Sequence, residues 1–111
     1  MQIIRTVIGA SLLLGGALAH AACELPQRPT IPNGASASEQ EMVDAQGAVR
    51  SYVDSAQAYL DCLVAEDKAA GDKESKDAKQ ARLDKYNAAV ASMQEVGDQF
   101  NAQVREFKAN Q

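Results

Sequence analysis

Three side chains carry most of the reactive chemistry in this 111-residue chain: the thiols of Cys23 and Cys62 and the imidazole of His20. Thiols pair, ligate metals or attack electrophiles, and imidazole is the commonest general base and metal ligand. Which of these roles is open depends on the compartment. Residues 1–21 read as a secretory signal peptide: Arg5 gives a positive start, and residues 6–19 form an apolar run too short to span a bilayer comfortably. Ala19-His20-Ala21 is an A-x-A cleavage signal. The mature chain is then expected to begin at Ala22, to lose His20, and to carry both cysteines into an oxidising compartment. One disulfide between Cys23 and Cys62 is the expectation there. The competing reading is an outer-membrane lipoprotein, cleaved before Cys23 and lipidated on it. Two features oppose that reading. The third residue before Cys23 is His20, where a lipobox carries leucine or a similar residue, and lipidation would leave Cys62 single.

With His20 removed and the thiols joined, the usual zinc and copper ligands and the commonest general base are gone. Serines remain, but no base is available to activate one in a triad. Asp44, Asp54, Asp61 and Asp98 follow the solvent faces of the predicted helices and read as solubilising. No Gly-rich phosphate loop and no EF-hand pattern occurs. Tyr52, Tyr59 and Tyr86 read as packing residues rather than a ligand cage. The sequence therefore assigns no catalytic residue, no cofactor and no metal ligand, and points away from an enzyme. The formal charge is −4, or −5 once Arg5 is removed. Nucleic acid and anionic membrane surfaces call for a basic patch, so neither is expected as a partner. No transmembrane segment is expected in the mature chain.

Two long helices must position these residues. Met42, Ala45, Val49, Tyr52, Ala56, Tyr59 and Leu63 alternate in steps of three and four, the seam of a helix that packs on a neighbour. Val53 and Leu60 widen the seam on one side; Ala48, Ser55 and Cys62 flank it on the other. Ser36 and Ser38 each precede a glutamate by three residues, Glu39 and Glu41, the pattern of a capping box. Gly47 interrupts the helix at a cost of roughly 1 kcal/mol relative to alanine, and close backbone approach would be one reason for it. Leu83, Tyr86, Val90, Met93, Gly97, Phe100, Val104 and Phe107 form a second seam with the same spacing. Between them, Gly71 can cap the first helix and Asp72 or Ser75 can start the next. The charged stretch 66–79 reads as a solvated tip with pairs such as Asp72 with Lys76. A tight connection makes the helices antiparallel. Reversal near Gly71 sets Ala56 against Tyr86, Val49 against Met93 and Ala45 against Gly97. Phe100, Val104 and Phe107 then overhang the first helix and need cover from Ile31, Ala35 and Met42, or from another chain.

Residues 22–37 form the third part. Pro26, Pro29 and Pro32 recur every third residue, which places them on one edge of a polyproline II helix. Asn33-Gly34 marks a turn, with Gly34 free to take a positive φ. The path from Ser38 to Cys62 along a helix rises ~36 Å. The chain from Cys23 to Ser38 reaches up to ~46 Å. The segment can therefore reverse at the turn and deliver Cys23 to Cys62 as a strap. Its expected seat is the groove formed by Ala48, Ser55, Ala89 and Val96, with proline rings against Tyr52 and Tyr59. A Pro-x-x-Pro segment also reads as a disordered linker or a ligand for a PPII-binding domain; the disulfide favours docking. In its packing, this arrangement resembles the pancreatic-polypeptide hairpin, in which spaced prolines interdigitate with helix tyrosines. The likeness covers residues 23–63.

The run from Cys23 to Met42, with Ile31-Pro32-Asn33-Gly34, and the later Ala58-Tyr59-Leu60-Asp61-Cys62-Leu63, is similar to a family of small exported proteobacterial proteins with paired cysteines. The resemblance implies a periplasmic or secreted location and the cysteine pair, and brings no activity and no site residues. The expectation is an all-α chain: signal peptide 1–21, Pro-rich strap 22–37, and an antiparallel two-helix hairpin over 38–111 with helices at about 38–68 and 73–109. Its role is expected to be structural or partner-binding, with a protein partner or self-association.

Overall fold

The structure is a computed structural model and describes residues 22–111; the expected signal peptide lies outside the described residues. Two helices dominate, α1 (Glu39–Ala70) and α2 (Lys76–Ala109), joined by a 3-10 turn at Gly71–Lys73. They form the all-α hairpin that the two seams predict, and Cys23 is bonded to Cys62.

Local chemistry sets each boundary. The Glu41 amide donates to Ser38 Oγ at 3.1 Å, and the Ser38 amide donates to a Glu41 carboxylate oxygen at 2.7 Å. That reciprocal box satisfies two free donors at once. Ser36 belongs instead to the preceding turn, where its amide donates to the Asn33 carbonyl at 3.1 Å. Gly71 stops α1 with φ 54°, its amide donating to the Asp67 carbonyl. Ser75 starts α2 by accepting from the Ala78 amide at 3.1 Å. The first helix runs two residues beyond its expected end. The second begins three later, because the 3-10 turn occupies the interval.

The core lies along the helix interface in two clusters. Nearest the tip, Tyr59, Leu60, Leu63 and Ala89 are buried, with Cys23, Tyr86, Val90 and Met93 packed on them. Further along, Tyr52, Ala56 and Val96 are buried beneath Ile31, Val49, Val53 and Met93. Burial on α2 is deepest at Ala89 and Val96, not in the predicted seam one residue later at Val90 and Gly97. The strap is the reason: it covers the Ala89 and Val96 side of α2, so that helix is buried from two directions there.

Neither Gly47 nor Gly97 marks a close backbone approach. A Cβ built on Gly47 or on Gly97 would meet nothing within 4 Å. Ala45 is buried, but not by contact with the Gly97 backbone at that distance.

Candidate functional site

The strap is the element through which the cysteines, the prolines and the tyrosines meet. Along it, Cys23, Pro26, Pro29 and Pro32 are half-buried, while Glu24, Leu25, Gln27, Arg28 and Thr30 are exposed. Every third residue faces the hairpin, as a three-residue turn requires, and Ile31 is half-buried as well, outside that register. The strap ends in a turn built by Asn33. Its side-chain oxygen accepts from the Ala35 amide at 3.0 Å, and its carbonyl accepts from Ser36 and Ala37 at 3.1 and 2.9 Å.

Gly34 is needed in that turn for a different reason from the one the dipeptide suggests. Its φ is not positive; among the described residues only Gly71 has that geometry. Gly34 is buried, its amide donates to Gln103 Oε1 at 2.8 Å, and a Cβ there would collide with the Gln103 carbonyl. The glycine lets the strap backbone touch the α2 backbone.

Contacts then continue toward Cys23. Arg28 reaches Glu95 on α2 at 3.0 Å, with both side chains well exposed, so this pair contributes at most about 1 kcal/mol. Ile31 enters the Tyr52, Ala56 and Val96 cluster. Pro26 and Pro29 line a shallow depression of about 540 Å³ with Ala48, Ser51, Tyr52 and Ser55. Pro26 also lies in a second one, about 640 Å³, with Tyr59 and Cys62. Pro32 sits elsewhere, lining a depression with Gln99, Gln103 and Glu106 of α2. Tyr52 and Tyr59 are both buried. Tyr52 has a polar partner as well, its hydroxyl sharing a hydrogen bond with Ser92 Oγ at 2.6 Å. Ala48 and Ser55, expected under the strap, remain exposed. The turn at Gly34 holds that end of the strap on α2, and Ala48 and Ser55 stay at the strap's margin.

At the far end the disulfide closes the strap onto α1, with a Cα separation of 5.7 Å. Glu66, one helical turn past Cys62, places Oε1 at 3.1 Å from Cys23 Sγ. A disulfide sulfur carries no hydrogen, so this is a sulfur–oxygen contact, not a hydrogen bond. The two sulfurs and a Glu66 oxygen lie within 4.8 Å of one another. With both sulfurs in the bond, the group offers a metal one carboxylate and no thiolate.

Beside it stands a charge cluster that the sequence reading missed. Arg82 binds Glu74 through both of its terminal nitrogens at 2.6 Å, and reaches Asp67 at 2.9 Å and Glu66 at 3.7 Å. The Arg82 and Glu74 side chains are only 15% and 13% exposed. The forked hydrogen bond from Arg82 holds the Glu74 carboxyl below its ordinary value, and Glu74 in turn raises the Arg82 guanidinium. The expected Asp72–Lys76 pair does not occur among the described residues; Lys79 lies 3.9 Å from Asp67 instead. One signal was available. Arg82, Ala89, Val96 and Gln103 are spaced by seven, so the column found at Ala89 and Val96 extends to both ends of the strap's path. Arg82 meets the disulfide's neighbour Glu66, and Gln103 meets Gly34.

Asp44 and Asp61 accept from Gln40 and Gln57, one turn earlier on the exposed face of α1, and Asp54 and Asp98 are exposed as well. No helix among the described residues is long and apolar enough to cross a membrane.

Comparison with family models, with curated proteins and with solved structures finds no match in any of the three. The class that stands is the one the fold and its staple define: an all-α hairpin with a disulfide-bonded strap.

Proposed function

We propose that this chain is an exported, non-enzymatic helical protein of the bacterial envelope, acting in the periplasm or outside the cell as a structural or partner-binding scaffold. The Cys23–Cys62 bond carries this reading. Structural disulfides persist in oxidising compartments and are rare in the cytosol. A small hairpin with nine buried apolar residues gains much from such a staple. The leader-like residues 1–21 and the Ala19-His20-Ala21 signal supply the route. Its organisation favours recognition over reaction, because Tyr52 and Tyr59 are buried in the core clusters and Asp44, Asp54, Asp61 and Asp98 lie on exposed helix surfaces.

Intact mass of the protein released by osmotic shock tests the proposal. A chain beginning at Ala22, two hydrogens lighter than its reduced form, is the expected species. Retention in the cytosol with both thiols free would remove the proposal. A diacylglyceryl group on Cys23 would replace it with the outer-membrane lipoprotein.

A further inference from the structure

We propose that the reduced chain binds a thiophilic divalent cation of the zinc class at the foot of the strap, with Cys23, Cys62 and Glu66 as its ligands. Disulfide and metal are then alternative closures of the same staple. This inference goes beyond the scaffold reading and does not need it, since free thiols in any compartment make the site available.

The ligands come from two elements. Cys62 and Glu66 lie four residues apart on α1, one turn above the other on one face. Cys23 comes to them from the end of the strap. All three are half-buried. Two sulfurs and a carboxylate oxygen lie within 4.8 Å of one another, and no other such group of three occurs among the described residues. A tetrahedral site with metal–sulfur bonds of about 2.3 Å and a metal–oxygen bond of about 2.1 Å sets its ligand atoms roughly 3.6–3.8 Å apart. Glu66 Oε1 already stands 3.1 Å from Cys23 Sγ. The cysteine Cα atoms are 5.7 Å apart, which leaves room for the sulfurs to part to that spacing by side-chain rotation. While the bond is closed, the carboxylate oxygen faces a sulfur with no hydrogen to offer. A cation between the two atoms supplies the missing attraction.

The surroundings match what a metal ligand needs. The other Glu66 oxygen, Oε2, faces Arg82 Nε at 3.7 Å, so the carboxylate is held with Oε1 toward the sulfurs. Outer partners of this kind orient metal ligands. Arg82 Nε is buried and has no hydrogen-bond partner of its own. The guanidinium's charge is met by Glu74 and Asp67, which limits its repulsion of a cation. Both cysteines line an open depression of about 640 Å³, which gives the ion a way in and leaves a fourth coordination position to water.

The chain holds both thiols before its disulfide forms, and a dithiol reductant restores them. That reductant gives two electrons and two protons to the bond and leaves as its own disulfide. Metal binding then displaces both thiol protons, and the sulfurs bind as thiolates.

Cobalt(II), a spectroscopic stand-in for zinc, tests this on the mature protein purified from cells and reduced with a phosphine under argon. The expected result is thiolate-to-cobalt charge-transfer absorption that saturates at one ion per chain, is erased by zinc, and is absent from the oxidised protein. Glu66→Gln keeps both thiols and is expected to weaken cobalt binding at least roughly tenfold, with the helical circular dichroism of the oxidised variant unchanged. Absence of the absorption from the reduced protein overturns the proposal. Equal affinity in Glu66→Gln overturns it too, because two thiols alone would then hold the ion, and so does saturation at one ion per two chains. Should reduction unfold the chain, recovery of helix on adding zinc supports the site and failure to recover overturns it. None of these outcomes touches export, which the mass of the mature chain decides separately.

Discussion

The amide of Gly34 donates to the side-chain oxygen of Gln103 across 2.8 Å, joining the strap's turn to the last third of α2. The partners are 69 residues apart in sequence. Together with the disulfide they fix the strap at both ends, and the half-buried residues between them are the prolines and Ile31.

Gly34→Ala is therefore expected to destabilise by about 1–3 kcal/mol, because the new methyl must displace helix backbone and not a movable side chain. Gln103→Ala removes only the acceptor and is expected to cost about 1 kcal/mol. Urea denaturation of both variants checks the order. Equal effects would mean that the close approach does not matter.

Replacing Cys23 and Cys62 by serine opens a loop of 39 intervening steps and is expected to remove about 4 kcal/mol, the chain-entropy value for that length. That is a large share of the 5–15 kcal/mol typical of a whole domain. Chemical denaturation of the double variant against the oxidised protein measures it.

These two anchors differ in how visible they are from residues alone. The cysteine pair follows from export and number. Asn33-Gly34 marks a turn correctly, but the reason for the glycine is a neighbour 69 residues away, which no local dipeptide rule contains. The helix seams are legible because burial against one partner repeats every three and four residues. The rotation of α2 burial to Ala89 and Val96 is harder to see, since it arises from a third element lying in the groove. Arg82 lies just past the charged stretch 66–79; its seven-residue spacing with Ala89, Val96 and Gln103 puts it on their column, but does not show which carboxylates converge on its guanidinium.

Glu74 makes stability depend on pH. Its carboxyl lies below the ordinary value of 4.5, so the stabilisation is fully present above about pH 4.5 and is lost as pH falls through the depressed folded-state value. Glu74→Gln is expected to be less stable than the parent at pH 7, with the difference shrinking as the solution is acidified through that range. Thermal melts of both proteins between pH 7 and pH 2 test this; a difference independent of pH would contradict it. Arg82→Lys should lower stability at pH 7 as well, since an ammonium cannot make the forked contact.

Gly47 lies inside α1, exposed, with open space where a Cβ would go. Gly47→Ala is expected to stabilise by about 0.5–1 kcal/mol through helix propensity and reduced freedom of the unfolded chain. A loss of stability in urea denaturation would show that the position is covered in the folded protein.

The docked strap is what every other part of the account depends on, and the exchange rate of the Gly34 amide reads it most directly. In the oxidised protein this hydrogen should exchange at least roughly tenfold more slowly than in an unstructured reference peptide, because it is buried and bonded to Gln103. Exchange at the reference rate would mean that the strap is free of α2, and would contradict the architecture described.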